Sequence, residues 1–514
     1  MHYAPSMPRV VIAAGSQLAA DAGAAIADIG GNAVDALLAA TLVSLCTDPG
    51  IVAPGAGGFV SILPTNGRPE VIDGYAAMPG LGGTGTPNPA TIREVFIDYG
   101  GGLSTIVGES SVAVPGAIAA FGVAAERHGR VPWRELVQPA IEAASKGFPL
   151  PPAAAEYLQF SHELVFGWDQ ASRVALHHDD GTPLSAGDTV HMADLPDALE
   201  MLATEGPSSF YTGSLAQRMV SAMEEVGGLL TREDLAAYRA EIRQPIEIEY
   251  GDWAIATNPA PAVGGAATMA QVLLADPTLE GLSQEGLTQF AAAQAAVFGF
   301  REEHIDHAVD RNAQLERLLE LARDGTLLSS PSTAHNSAVD SDGLACSITV
   351  SAGYGSGWVV PGTGMFMNNC LGELELNPAG FLKAAPGSRL VSNMAPTVGR
   401  RNDGAVLAIG SPGAARITSA VATVLLAVAR DGLSLEDAVL RPRFHVEKYD
   451  GAASIAHEVG VDMPAIPGYL DRPFPDRAMY FGGAHSAMYE PSRGLVAAPD
   501  PRRAGACAYG GTND

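Results

Sequence analysis

The sequence predicts a mixed α/β protein in which helices cover β-sheet, and three observations support this fold class. A β-branched run of strand length, residues 344–351, follows the turn signal Ser341-Asp342-Gly343, which predicts a β-hairpin over residues 332–351. Residues 16–46 are rich in Ala, with apolar side chains at helical spacing. Hydrophobic residues make up 47% of the chain and charged residues 17%, which is typical of a compact protein. We therefore expect the hairpin to supply central strands and the Ala-rich helices to cover them.

Composition limits the classes of partner. The chain has 514 residues, enough for a large core and for more than one domain. Its formal net charge of -27 argues against binding to nucleic acid or to an anionic membrane, because like charges repel. The apolar run at residues 10–14 is too short for a secretory signal or a membrane span. We therefore expect a cytoplasmic protein without nucleic-acid or membrane partners.

The first half of the chain reads as helices and strands separated by Gly and Pro. Two helices are predicted over residues 16–46, divided at Gly30-Gly31-Asn32. Gly55-Ala56-Gly57-Gly58 leads into a strand at residues 59–63. These glycines do not indicate a phosphate loop, because no Gly-Lys-Ser/Thr follows them and they precede a strand instead of opening a helix.

Further elements follow from periodicity and turn residues. Residues 79–108 are predicted as a loop, and residues 246–255 as a strand. Thr231 fits the N-cap of a short helix that ends near Arg239. The remaining helices are predicted at residues 116–128, 133–146 and 189–204, and a long apolar helix is predicted after the Pro- and Gly-rich break at residues 259–265.

Three sets of residues could suggest a metal or a disulfide. His304 and His307 stand three apart, but the surrounding sequence is not HExxH, and a solvated charged helix face explains it better. His177-His178-Asp179-Asp180 precedes a glycine and is predicted to be a polar turn. The four cysteines lie far apart without CxxC spacing, which predicts buried or idle thiols: Cys46, Cys346, Cys370 and Cys507. We expect no metal and no cofactor.

Thr333 stands at the head of the predicted hairpin. A Thr within a chain has no adjacent base, but cleavage of the peptide bond before it would free its own α-amine, whose pKa is about 8. That amine reaches the hydroxyl directly or through one water, so a single residue becomes nucleophile and base. A Thr before a strand is also a common turn or cap residue, and the local sequence alone leaves both interpretations open.

A second local feature could hold developing negative charge. Residues 408–417 read as a strand, a tight turn through Gly410-Ser411-Pro412-Gly413, and a helix. Amides at the start of a helix lack intrahelical partners, so they could stabilise an oxyanion. A plain packing turn is an equally good explanation on local grounds.

Short motifs recur in order along almost the whole chain. They are Pro54-Gly55-Ala56-Gly57-Gly58-Phe59, Val114-Pro115-Gly116, Gln138-Pro139-Ala140, Phe210-Tyr211-Thr212-Gly213, Gly227-Gly228-Leu229-Leu230-Thr231, Thr333-Ala334-His335, Asn368-Asn369, Ser392-Asn393-Met394-Ala395-Pro396-Thr397, Gly410-Ser411-Pro412-Gly413 and Arg441-Pro442-Arg443-Phe444-His445. Together they resemble the γ-glutamyltransferase (γ-glutamyltranspeptidase) family of N-terminal-nucleophile hydrolases. The order and spacing of the motifs make the resemblance far more specific than any single motif.

The resemblance implies a four-layer αββα sandwich of two antiparallel sheets covered by helices. It also implies a precursor that cleaves itself before Thr333. The products would be a large chain, residues 1–332, and a small chain, residues 333–514, which together form one interlocked domain.

The resemblance also implies roles for individual residues. Thr333 would be the nucleophile, and its freed amine would be held by Ser351 or Thr349, with Ser351 preferred. Gly413 and Ala414 match the paired glycines of the oxyanion hole, and Ala still supplies an N–H group. The pocket for the α-amino and α-carboxylate groups of the donor would comprise Asn369, Glu373, Ser392 and Asn393.

Two positions depart from the family. Tyr75 replaces the Arg of the segment Asp-x-Arg-Glu-x-x-Pro, and losing a bidentate guanidinium could cost several kcal/mol of carboxylate binding. Ala334 replaces the usual Thr after the nucleophile, which removes a hydroxyl near the bond to be cut. Tyr75 therefore makes the identity of the donor an open question.

Three hypotheses follow. The first is a self-processing amidohydrolase that cleaves γ-glutamyl amides such as glutathione through an acyl-enzyme, which water or an amino acceptor releases. The second is an amidohydrolase or acylase for another small acyl amide, such as an oxo-acid amide or an acylated amine. The third is a catalytically silent homologue, motivated by Ala334 and Tyr75. The sequence leaves the physiological acceptor and the oligomeric state open, and a homodimer is one expectation.

Overall fold

The computed structural model describes residues 8–83, 86–98, 102–306, 308, 310–324, 334–374, 376–377, 379–413 and 416–512. The predicted nucleophile Thr333 and the oxyanion-hole residue Ala414 lie outside these described residues, as does His307 of the metal hypothesis.

Strands occur along the whole length of the described chain. In chain order they are β1 (Val10–Ala14), β2 (Gly57–Leu63), β3 (Glu70–Gly74), β4 (Arg93–Ile97), β5 (Leu103–Val107), β6 (Phe148–Pro149), β7 (Thr189–Val190), β8 (Glu241–Arg243), β9 (Ile246–Tyr250), β10 (Trp253–Thr257), β11 (Ala334–Asp340), β12 (Ala345–Ser351), β13 (Val359–Val360), β14 (Met365–Phe366), β15 (Thr397–Arg401), β16 (Val406–Ile409), β17 (Phe444–Tyr449), β18 (Ala452–Glu458), β19 (Leu470–Phe474), β20 (Ser486–Glu490), β21 (Gly494–Ala498) and β22 (Ala506–Gly510).

The α-helices of the same residues surround these strands. They are α1 (Gln17–Asp28), α2 (Ala33–Thr47), α3 (Ala117–His128), α4 (Trp133–Lys146), α5 (Pro152–Ser161), α6 (Gln170–Leu176), α7 (Leu195–Glu205), α8 (Ser214–Val226), α9 (Arg232–Ala237), α10 (Gly264–Leu274), α11 (Gln284–Phe300), α12 (Arg311–Asp324), α13 (Arg416–Ala429) and α14 (Leu435–Leu440). A π-helical turn, Arg301–Ile305, continues directly from α11.

Two antiparallel sheets form the centre of the molecule. One has seven strands in the order β22-β1-β11-β12-β2-β3-β8, and the other has six in the order β21-β20-β16-β15-β10-β9. Their inner faces pack on each other through small apolar side chains such as Val11, Val339, Val398 and Ala408. Helices α1, α2 and α3 cover the outer face of the first sheet, and α10, α13 and α14 cover the second. The predicted αββα sandwich is confirmed.

Both central sheets mix strands from the two sides of position 333. In the first sheet β11 lies between β1 and β12, and β12 pairs with β2. In the second sheet β10 pairs with β15. The two parts of the chain therefore share one set of hydrogen-bonded ladders.

The Ala-rich helices owe their composition to burial. Every residue of α2 is buried, because the helix lies between the first sheet, α1 and α4. A helix that is apolar on all sides is the expected form for such a layer. Asn32 caps α2 through hydrogen bonds from the N–H groups of Val34 and Asp35, and the Asp35 side chain returns the contact. The predicted break between the two helices is thus a capped helix start.

Most predicted elements are confirmed, and three are wrong in part. Residues 79–108 contain the paired strands β4 and β5, because residues 93–97 and 103–107 pair in register. Helix α7 begins at Leu195 instead of residue 189, since residues 189–190 pair with β6 and a Pro follows at the first turn. The strand expected at 246–255 is a hairpin, β9 and β10, because Gly251 turns the chain at φ +61°.

Candidate active site

The predicted hairpin is present and fully paired. Ala334 lies opposite Val350, and the pairing continues to Val339 opposite Ala345. Its turn is closed by the Asp340 carboxylate, which accepts hydrogen bonds from the N–H groups of Asp342 and Leu344, each at 3.0 Å. Ala334, the residue after Thr333 in the sequence, is the first described residue of β11.

Ser351 and Thr349 differ in their surroundings. The Thr349 hydroxyl lies 2.9 Å from Nδ1 of His335, whose Nε2 lies 2.7 Å from the Ser337 hydroxyl. Ser351 follows one residue beyond the Ala334–Val350 pair, at the end of β12, and its Oγ accepts a hydrogen bond from the Gly353 N–H at 3.0 Å. Thr349 therefore belongs to a buried row of hydrogen-bonded side chains, whereas Ser351 lies at the C-terminal end of β12.

His335 connects the hairpin to the second sheet, a role that its place in a sequence motif did not reveal. Its ring packs against Gly410, where a Cβ atom would come within 2.5 Å of Nδ1. Burial and the neighbouring His485 hold the pKa of His335 well below its ordinary value. The imidazole is therefore neutral, and it fixes the distance between β11 and the turn after β16.

The turn after β16 has the strand, turn and helix order predicted for an oxyanion hole. Gly413 has φ +128° and lies against Gly482, so a side chain at either position would be strained. The Ser411 hydroxyl donates to the Pro412 carbonyl at 2.7 Å and accepts from the Gly483 N–H at 3.0 Å. Since Ala414 lies outside the described residues, the geometry covers the first half of the predicted amide pair.

Three side chains of the predicted donor pocket, Tyr75, Glu373 and Ser392, form one buried cluster with Cys370. Tyr75 is 2% exposed and stacks on Phe59 with ring centroids 5.7 Å apart. Its phenol contacts the Cys370 thiol and the Ser392 hydroxyl. Burial, together with Cys370 and Glu373, raises the pKa of Tyr75 well above its ordinary value. Cys370, predicted to be a buried or idle thiol, is buried and packs at the centre of this cluster.

The side-chain amide of Asn369 is fully used in hydrogen bonds to neighbouring loops and strands. Its Nδ2 donates to the Thr105 hydroxyl at 3.1 Å and to the Ile106 carbonyl at 3.0 Å, and its Oδ1 accepts from the Tyr354 N–H at 2.7 Å. Gly353 packs directly on Asn369 and Glu373, at φ +65°. The Asn369 amide therefore braces the loop that follows Ser351.

Asn393 lies beside an unpredicted cation. Its Oδ1 accepts a hydrogen bond from Nη1 of Arg301 at 2.6 Å, and Nε of Arg301 pairs with Asp306 at 2.6 Å. Within the described ranges, Nδ2 of Asn393 is buried without a hydrogen-bond acceptor. Arg301 itself is 2% exposed, although its neighbours Glu302 and Glu303 are exposed as predicted. The sequence signal for Arg301 was its position at the end of an apolar helix.

A small cavity lies at the N-terminal end of β11. Its lining includes Ala334, His335 and Asn336 from the hairpin, Asp48 from the end of α2, and Arg503 from the C-terminal segment. The cavity therefore borders the residue that follows Thr333.

Other candidate sites are accounted for by local structure. His177-His178-Asp179-Asp180 forms a turn before Gly181, as predicted. In the described part of the chain, no group of three or more His, Cys, Asp or Glu side chains is arranged to hold a metal ion. Among the same residues, no helix has both the length and the apolar character needed to cross a bilayer.

Known proteins resemble the chain over nearly its full length. The family model for gamma-glutamyltranspeptidase matches residues 19–510. The glutathione hydrolase proenzyme of Escherichia coli (strain K12) is 29% identical, covering 96% of this chain and 90% of that protein. Acylase ACY 1 proenzyme of Pseudomonas sp. (strain SE83) is 30% identical over 85% of this chain and 83% of that protein. The structure of cephalosporin acylase from Bacillus halodurans superposes with a TM-score of 0.79 at 23% identity, covering 98% and 96% of the two chains.

Proposed function

This chain belongs to the gamma-glutamyltranspeptidase family, and from that premise we propose that it is a self-processing N-terminal-threonine amidohydrolase with Thr333 as its nucleophile. Cleavage before Thr333 divides the chain into residues 1–332 and 333–514 and frees the α-amine. The amine takes the hydroxyl proton as Oγ bonds to the amide carbon, while the Gly413 and Ala414 N–H groups stabilise the oxyanion. The carbon–nitrogen bond then breaks, the leaving amine takes the proton, and water or an acceptor amine releases the acyl group.

The register of the β11–β12 hairpin is the observation that carries this proposal. Ser351 lies one position beyond the Ala334–Val350 pair. It is therefore at the end of the hairpin where β11 begins, and β11 begins directly after Thr333 in the sequence. The Thr349 hydroxyl is already engaged with His335 at 2.9 Å. These contacts support Ser351, instead of Thr349, as the hydroxyl that holds the freed amine.

Processing is tested by the intact mass of the purified protein after incubation. We expect two fragments, the second beginning with Thr333, and a single uncut chain for Thr333→Ala. Ser351→Ala should slow processing and amide hydrolysis by about 10- to 100-fold, because one hydrogen bond to a charged group is lost. Thr349→Ala is the matched control and should have a smaller effect. A processed and active Thr333→Ala protein would refute the assignment, and an uncut, inactive wild type would favour the silent homologue.

The default donor is a γ-glutamyl amide such as glutathione. The buried Glu373 carboxylate suits the α-ammonium group of the donor, and Ser392 and Asn393 supply hydrogen bonds. Arg301 stands next to Asn393, at 2.6 Å, and offers a guanidinium for the α-carboxylate in place of the Arg that Tyr75 replaces. The relative named glutathione hydrolase proenzyme supports the same donor class.

The second candidate is an acylase that takes a small acyl group without the α-amino acid portion. The observation that favours it is Tyr75, whose ring and hydroxyl fill the space between Phe59, Cys370 and Ser392. The relative named acylase ACY 1 proenzyme supports this class.

The two donors are distinguished by comparing kcat/KM for γ-glutamyl-p-nitroanilide with that for neutral acyl p-nitroanilides of similar size. A higher value for the γ-glutamyl compound supports the default donor, and a higher value for a neutral acyl compound supports the acylase. The cytoplasmic location and the homodimer stay predictions.

A further inference from the structure

Asp48 is a buried carboxylate in a cavity that is also lined by Ala334, the residue after Thr333 in the sequence. It caps the C-terminus of α2, where its N–H donates to the Ser44 carbonyl at 3.0 Å. Its own carbonyl accepts hydrogen bonds from the N–H groups of Ile51 and Val52, each at 3.1 Å. The backbone is therefore fixed, and the side chain lines the same cavity as Ala334.

The Asp48 side chain is unusual among the buried carboxylates. The residue is 8% exposed, and within the described ranges its Oδ1 is buried without a hydrogen-bond donor. By contrast, the Asp35 carboxylate accepts hydrogen bonds from the backbone N–H groups of Asn32 and Arg130, and the Asp73 carboxylate forms an ion pair with Arg243 at 2.6 Å. A buried acceptor without a donor costs free energy, and such groups are concentrated at sites that receive a ligand.

The position of the cavity indicates which half of a substrate would reach Asp48. Its lining in the described part of the chain includes none of Tyr75, Glu373 or Ser392, which form the donor cluster. That cluster instead lies next to Gly353, beyond the end of β12. With the acyl group on the donor-cluster side, the cavity lies on the amine side of the amide, and its volume of about 30 Å³ has room for one ammonium group.

We propose that Asp48 is a specificity-determining residue that binds a protonated amine on the leaving group of the substrate. This inference rests on the proposed function. A carboxylate only accepts hydrogen bonds, and a primary ammonium supplies both the missing donor and a compensating charge. A metal ion fits less well, because no group of three metal-binding side chains exists among the described residues. Burial raises the pKa of Asp48 to about 7 against a smaller lowering by Thr47, so a bound cation would also restore its ionised form.

The test compares two amides that share an acyl group and differ by one charge. The acyl group is whichever the p-nitroanilide comparison favours, and the amines are 1,4-diaminobutane and butylamine. Wild-type protein should prefer the diamine amide. In Asp48→Asn the ratio of the two kcat/KM values should fall by at least about tenfold, as expected for losing a charge-assisted hydrogen bond. Asp21→Asn, on the exposed side of α1, is the matched control and should leave the ratio unchanged.

A ratio that stays the same in Asp48→Asn overturns the proposal. Equal losses on both amides also overturn it, because they would assign Asp48 to the machinery of the enzyme itself. Calorimetric titration with 1,4-diaminobutane alone needs no turnover, and binding should weaken at least tenfold in Asp48→Asn. If the wild type turns over no amide, the proposed function fails, and this titration still judges the cation site. Absence of binding that depends on Asp48 would then overturn the site as well.

Discussion

At the scale of single residues, two buried aspartates have opposite electrostatic settings. Asp500 would have a raised pKa from burial alone, but Arg443 at 2.6 Å and Arg502 at 3.2 Å lower the pKa to about 2. Burial raises the pKa of Asp48 to about 7. Asp500 is thus paired as a structural ion, whereas the ionised form of Asp48 costs stability. A group that is retained at such a cost is a candidate for function.

The cost of Asp48 predicts a pH-dependent stability difference. Between about pH 4 and pH 7 the folded state binds the Asp48 proton more tightly than the unfolded state, so this contribution to stability falls as the pH rises. Asp48→Asn removes the loss and should raise the free energy of unfolding by up to about 4 kcal/mol at pH 8, with little change at pH 4. Of the two histidines that line the cavity, His485 has a pKa lowered to about 4 by burial, and burial holds the pKa of His335 well below its ordinary value.

Urea unfolding of Asp48→Asn and wild type at several pH values measures this difference, with Asp21→Asn as control. A stability difference that does not change with pH would contradict the assignment of the proton to Asp48.

At the scale of elements, Gly23 determines how closely α1 packs on α2 and β1. A Cβ atom there would lie 2.8 Å from the Ala36 carbonyl oxygen and 3.0 Å from Cγ1 of Ile12. In an exposed helix, Gly to Ala gains about 1 kcal/mol of helix propensity. Here the clash involves backbone, which cannot rotate away, and overpacking costs about 1–3 kcal/mol. The absence of a side chain therefore lets the two helices approach.

Gly23→Ala should consequently lower the free energy of unfolding by about 1 kcal/mol, in spite of its better helix propensity. Chemical denaturation measures the change. Asp21→Ala, on the exposed face of the same helix, is the control and should stay within about 0.5 kcal/mol of wild type. A more stable Gly23→Ala protein would show that the layer can move apart without loss.

The elements also show where sequence reasoning succeeds. The β11–β12 hairpin and the cap at Thr231 depend on residues close together in the chain, so their local patterns suffice. The pairing of β4 with β5 was missed, because Gly, Pro and Thr around it resemble a loop. Arg301 and Cys370 acquire their roles from Asn393 and Tyr75, which lie far away in sequence. Only the fold brings such partners together, and no local pattern reports them.

At the scale of the whole molecule, the two central sheets join the parts of the chain on either side of position 333. Strand β11 is hydrogen-bonded to β1 on one edge, and β12 to β2 on the other. The last strand, β22, also pairs with β1. Separation of the two parts would break these ladders and expose the apolar layer between the sheets. Cleavage of the peptide bond before Thr333 is therefore not enough to separate them.

Processed protein should therefore elute as one particle in size-exclusion chromatography, although a denaturing gel resolves fragments of residues 1–332 and 333–514. Both fragments should be released only in the transition that unfolds the sheets, because each completes the hydrogen bonding of the other. Chromatography across a urea series, with uncleaved Thr333→Ala as the control, measures this. Fragments that separate below the unfolding midpoint would contradict the shared-sheet argument, and a midpoint close to that of the uncleaved control would support it. The pairing, and not the covalent link before Thr333, then accounts for the stability of the assembled molecule.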